Sequence, residues 1–279
     1  MVRSPRFSGR SAIRSLKRIA SRSLPRRNPK LESERLSPIS RRRFRRPRPE
    51  GPVDGVAAPP AARRGIPLGA KLAFTAFMAL LVPSYTYFYG PTNFLYFCDV
   101  ALFVTLAALW TESPLLASLV AVNVLLPQIV WCADFLGGLT GHFLTGQTKY
   151  MFTNNTSMLA LYKHGLSFFH LWIPFLAFWL VWRLGYDRRA LIVWTATGWA
   201  IRLVCYFLMP APPTPPDNPD LPVNINYVYA IDDTQGPQTW MPPLAWLALV
   251  MAVFPTLIWV PTHLILSKTV GRRSAAAVA

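Results

Sequence analysis

Acidic residues are few in this 279-residue chain: 12 Asp and Glu stand against 29 Lys and Arg, for a formal net charge of +17. The excess is local, because 19 of those Lys and Arg and only four of the acidic residues fall within residues 1–66, leaving the rest nearly neutral. Cysteine is scarce as well. The three, at 98, 132 and 205, have no paired spacing, which argues against a disulfide framework and a structural zinc site. His142, His164, His170 and His263 form no His-x-x-x-His pair, so neither a metal nor a cofactor is expected. No internal repeat is evident, which argues against inverted-repeat transporters. What is abundant is apolar sequence, 52% of the chain, in runs too long for the strands or half-buried helices of a soluble domain. A water-soluble globular enzyme is excluded.

Residues 1–66 combine Arg blocks such as Arg41-Arg42-Arg43-Phe44-Arg45-Arg46 with recurrent Pro and no apolar periodicity, the pattern of a disordered basic tail. No aromatic interleaving or nucleic-acid-binding motif accompanies the charge, so anionic lipid headgroups are the expected partner rather than nucleic acid. Six apolar stretches follow, near 69–88, 92–110, 114–136, 164–183, 190–209 and 244–266. Each approaches the roughly 20 residues that a helix needs to cross a hydrocarbon core about 30 Å thick. The expected fold is all-α: a polytopic membrane domain over 67–267 with six transmembrane helices in one bundle, then a basic tail over 268–279.

Arg183, Arg188 and Arg189 lie between the fourth and fifth stretches, and Lys268, Arg272 and Arg273 follow the sixth. With the basic tail before the first, all three clusters fall on one side, so the positive-inside rule puts both termini in the cytoplasm, with the cell membrane as the expected location. The opposite face receives the loop 210–243, which carries Asp217, Asp220, Asp232 and Asp233 and no Lys or Arg. It is long enough to be a lid or partner surface. Trp131, Tyr227, Tyr229 and Trp240 fall near that face as expected interface anchors. Asn154-Asn155-Thr156-Ser157 contains overlapping glycosylation sequons there.

Ionisable residues inside a span are costly and usually face a bundle interior. Asp99, Asp134, His170 and Arg202 come from four different spans, all at depths in the outer half. Helical spacing places each on a polar stripe: Thr92 with Asp99; Asn123, Pro127, Trp131 and Asp134; Lys163, Ser167, His170 and Pro174; Thr195, Gly198, Arg202 and Tyr206. Turned inward, these stripes build either a polar cavity open to the outside or a set of helix-to-helix contacts, with Arg202 paired to Asp99 or Asp134. Gly90-Pro91-Thr92-Asn93 opens the second span, where the N–H groups of Asn93 and Phe94 lack helical partners and suit a developing oxyanion. Thr92 then reads as nucleophile, His170 as general base, Asp99 as orienter and Arg202 as anchor for a lipid phosphate or carboxylate. Asn93, Asp134 and Trp131 complete the expected substrate contacts.

Pro91-Thr92-Asn93-Phe94 and the run from His164 to His170, followed by Ile173-Pro174-Phe175, resemble the androgen-induced family of six-helix membrane hydrolases. That resemblance implies an intramembrane Thr nucleophile at Thr92 and a His base at His170, acting on fatty acid esters of hydroxy fatty acids. It spans the second to fourth stretches and departs from the family in the spacing of the two His, at Leu171, Asp99 and Arg202. A related group of membrane acyltransferases uses Cys, which would promote Cys98. The leading expectation is a membrane hydrolase or acyltransferase acting on an acyl lipid from the outer half of the bilayer. The alternative is a noncatalytic lipid or solute carrier or scaffold with a structural polar cluster.

Overall fold

The computed structural model describes residues 65–152, 157–217, 221–231 and 236–270. The chain divides into two units, Met1–Gly55 and Val56–Ala279, and all described residues belong to the second. The basic tail, the Asn154 and Asn155 sequons, Asp220, Asp232, Asp233, Arg272 and Arg273 lie outside the described residues.

Helices α1 (Leu68–Tyr89), α2 (Phe97–Thr111), α3 (Pro114–Gly138), α4 (Met158–Ser167), α5 (Phe169–Leu184), α6 (Ala190–Leu208), α7 (Pro243–Phe254) and α8 (Val260–Thr269) make up the bundle, and the described residues include no strand. A 3₁₀ turn, Pro91–Leu95, precedes α2, and a π-helical turn, Pro255–Trp259, joins α7 to α8. Local chemistry sets several ends. Ser113 and Ser157 cap α3 and α4 by accepting from the N–H groups of Leu116 and Ala160. Gly90 ends α1 at a positive φ of 78°, a conformation a side chain would strain.

Among the described residues, five helical stretches are long and apolar enough to cross a membrane: Leu68–Tyr89, Pro114–Gly138, Met158–Leu184, Ala190–Leu208 and Pro243–Thr269. Two boundaries differ from the sequence expectation. The fourth stretch begins at Met158 rather than near 164. The second is not one helix from Thr92: Tyr96 is extended (ψ 138°), and α2 has only 15 residues. A 15-residue α-helix rises about 22 Å, short of a hydrocarbon core.

Helix α3 is the axis of the bundle and packs against α2, α5, α6 and α8. Over residues 117–124 it is buried on every side, which is why this segment is apolar apart from Ser118 and Asn123. The main core joins α1, α2, α3 and α5 through Leu81, Leu102, Val120, Ile173 and Leu180. A second cluster gathers Phe97, Val122, Trp194 and Trp259, and a third packs Ile225 and Val228 of the long loop against Cys205, Trp246 and Val250. The loop 221–231 is thus an inserted plug as well as a connector.

Candidate functional site

The break before α2 determines much of the polar interior. Between Leu95 and Phe97 the chain leaves helical geometry, freeing a carbonyl and an N–H that must find partners when buried. Asn226 supplies both: its Oδ1 accepts from the Phe97 N–H at 3.0 Å, and its Nδ2 donates to the Leu95 carbonyl at 2.8 Å. Asn123 Nδ2 donates to the Phe97 carbonyl at 2.7 Å. Asn226 reaches this position because Asn224, Asn226 and Tyr227 adopt left-handed φ values of 50°, 59° and 64°, which Asn tolerates better than most residues. Asn224 pins the turn through its Oδ1, which accepts from the N–H groups of Tyr229 and Ala230.

Asp99 lies buried in the first turn of α2. Its Oδ2 accepts from Asn93 Nδ2 at 2.8 Å, so two of the expected site residues do meet. Its other oxygen has no partner, and neither has the Thr92 hydroxyl. The Asn93 N–H expected as a free oxyanion donor is not free, because the 3₁₀ turn directs it to the Gly90 carbonyl at 3.3 Å.

His170 occupies a different environment. Helix α4 stops at Ser167, Phe168 interrupts it, and α5 restarts at Phe169, so the Ser167 carbonyl meets the His170 Nδ1–H at 2.8 Å. Ser167 Oγ in turn shares a 2.9 Å hydrogen bond with the Tyr85 hydroxyl. The imidazole stacks on Trp131 (centroids 4.8 Å apart, planes within 16°) and on Phe169 (4.0 Å). Trp131 is therefore a buried partner of His170 rather than an anchor at the membrane interface. Neither Thr92 nor Asp99 is hydrogen-bonded to His170, and the backbone carbonyl of Ser167 holds the orienting position expected of Asp99.

Asp134, fully buried near the end of α3, accepts from the N–H groups of Thr145, Gly146 and Thr148 and from the Thr148 hydroxyl. Its carboxylate fastens the 145–148 turn onto α3. Arg202 pairs with neither Asp99 nor Asp134. Its guanidinium lies among Phe97, Phe254 and Trp259, with Cζ at 4.7, 3.9 and 5.6 Å from their ring centroids. Nε reaches the Asn226 carbonyl at 3.4 Å, while Nη1 and Nη2 have no partner.

Among the described residues no cluster of three His, Cys, Asp or Glu has metal-site geometry. An apolar groove of about 410 Å³ runs between α6 and the π turn, past Leu191, Thr195, Trp199, Pro255 and Val260, and no expected catalytic residue lines it. Compared with models of known protein families, with curated proteins and with solved structures, the chain matches none.

The polar stripes marked buried faces at Asn123, Trp131, Asp134, Ser167, Gly198 and Arg202, but Thr92 and Asp99 share no helix, Pro127, Thr195 and Tyr206 are half-buried, and the partners were missed. Asn226 carries the most structure and was visible only as part of an Asn-rich loop. Its signal was two Asn, at 224 and 226, set in an apolar run behind a Pro-rich stretch. Tyr85, Trp194 and Trp259 gave no signal beyond hydrophobicity.

Proposed function

We propose that this chain is a noncatalytic multi-pass membrane protein that binds an acyl lipid or another amphiphile. In this reading α2 and its 3₁₀ lead-in make a sixth crossing, since the two segments together rise about 30 Å. An even number of crossings puts both termini on the cytoplasmic side of the cell membrane, with the 221–231 loop outside and the basic segment 1–66 on anionic headgroups. The observation that carries the proposal is where four of the polar side chains inside the bundle are committed. Asn123, Asn226, Asp134 and His170 all hydrogen-bond main-chain groups at breaks and ends of helices, a shaping role.

A second reading, a hydrolase or acyltransferase with His170 as base, has one specific support. Donation from Nδ1 to the Ser167 carbonyl leaves the neutral ring with its lone pair on Nε2, the arrangement a general base needs. The unpartnered Thr92 hydroxyl is its nucleophile. The two readings separate when the full chain is reconstituted in nanodiscs with radiolabelled acyl lipids and release of the acyl group is followed. The binding reading expects no release beyond that of T92A and H170A. Release abolished by both substitutions, with insertion unchanged, would establish the enzyme.

A further inference from the structure

Arg202, Trp194 and Trp259 are 0%, 1% and 0% exposed, and none of the atoms Arg202 Nη1, Arg202 Nη2, Trp194 Nε1 and Trp259 Nε1 has a hydrogen-bond partner. Trp194 and Arg202, eight residues apart on α6, both pack on Phe97 and Trp259: the two indoles are 6.2 Å apart at 77°, and the guanidinium carbon is 5.6 Å from the Trp259 ring centroid. The π turn and Gly198 bring them together. The Val260 N–H bonds the Pro255 carbonyl five residues back, widening the turn, and a Cβ on Gly198 would lie 2.6 Å from Trp259 Cη2. The surrounding rings of Phe97 and Phe254 offset part of the cost of burying the cation but offer no hydrogen-bond acceptor.

Every unpartnered atom in this cluster is a donor. A single water molecule satisfies such a set poorly, because it accepts at most two hydrogen bonds against four unpartnered donor atoms and leaves the buried positive charge without a counter-charge. A neutral polyol brings hydroxyl protons as well, and a cation is repelled. The complementary chemistry is a group that only accepts and carries negative charge. We infer that Arg202, with the indole N–H groups of Trp194 and Trp259, binds the phosphate or carboxylate of an anionic amphiphile. This deepens the binding reading above by naming the ligand class. The amphiphile is favoured over a free anion because the apolar groove follows Leu191, Thr195 and Trp199, the stripe of α6 beside the buried stripe Trp194, Gly198 and Arg202. None of Arg202, Trp194 and Trp259 lines that groove; it gives an acyl chain a bed on the adjoining stripe of α6.

The test is equilibrium binding to the full chain in phosphatidylcholine nanodiscs, with radiolabelled dodecyl phosphate, dodecanol and inorganic phosphate as separate probes. Dodecyl phosphate should bind saturably, about 10-fold or more weaker in R202Q and severalfold weaker in the W194F/W259F double variant, which keeps one aromatic ring at each position and removes both N–H donors with the five-membered rings that carry them. Saturable binding of inorganic phosphate alone, with the same dependence, would overturn the amphiphile as ligand. The whole inference falls if neither anion binds saturably, or if dodecanol competes equally and the double variant changes nothing. The double variant decides the matter even if R202Q does not fold. Acyl release measured in the same samples reports separately on the binding reading, whose failure would leave the anion site intact.

Discussion

Replacing Asn226 tests whether one loop residue holds the break before α2. In Asn226→Ala, the Phe97 N–H and the Leu95 carbonyl both lose their partner in a buried setting. Leaving such a group unsatisfied costs about 1–3 kcal/mol each. Alanine at φ 59° adds about 1 kcal/mol of backbone strain relative to a residue at ease there. The expected loss is roughly 3–7 kcal/mol. At about 2–4 °C per kcal/mol for a domain of this size, the melting temperature should fall by on the order of 10 °C. Thermal unfolding in detergent, followed by tryptophan fluorescence, measures this. Cys205, buried beneath the plug with Sγ 3.8 Å from Asn226 Nδ2, gives a local readout. In a Cys98→Ser, Cys132→Ser background its alkylation should accelerate as the loop loosens. Asn226→Gly relieves the strain but not the lost hydrogen bonds, so it should stay within about 1 kcal/mol of the alanine variant. A glycine variant as stable as wild type would show that Asn226 supplies backbone conformation only. An alanine variant that melts within about 2 °C of wild type, with Cys205 still unreactive, would refute the reasoning altogether.

Gly198→Ala forces its new methyl group into the Trp259 ring, so a loss of about 1–3 kcal/mol is expected, with a shifted tryptophan emission; unchanged emission and stability would mean that the two helices separate freely. Asp134→Asn turns an amide NH₂ toward donors that now meet a carboxylate, at about 2–4 kcal/mol, and amide exchange at 145–148 should rise while exchange in α3 stays slow. Lys71 and the Ile66 N–H hold the Glu112 carboxyl below its ordinary value of 4.5. Because the folded value is lowered, the contribution is present above that ordinary value and fades as pH falls through the lowered one. The small difference in melting temperature between wild type and Glu112→Gln at neutral pH should therefore shrink below pH 4.5, and shrink also in high salt. A difference that grows on acidification would contradict this assignment.

Length and periodicity alone gave the all-helical architecture, the apolar stretches and the buried polar faces, because a helix repeats every 3.6 residues and a lone charge in an apolar stretch must face inward. Asn123, Trp131 and Asp134 on α3, and Gly198 and Arg202 on α6, are buried, while Pro127, Thr195 and Tyr206 of the same stripes are half-buried. The pairings were a tertiary matter. A stripe says which face is polar; it does not say what lies across from it. His170 meets a carbonyl three residues back only because α4 stops at Ser167, and Asp134 meets main-chain donors in a turn 11–14 residues downstream. The second stretch reads as one helix from Thr92, yet the helix begins at Phe97, since a loop residue 129 positions away accepts the hydrogen bond of its first N–H. Helix ends are decided by whichever group satisfies the freed backbone, and here that group arrives from a distant part of the chain.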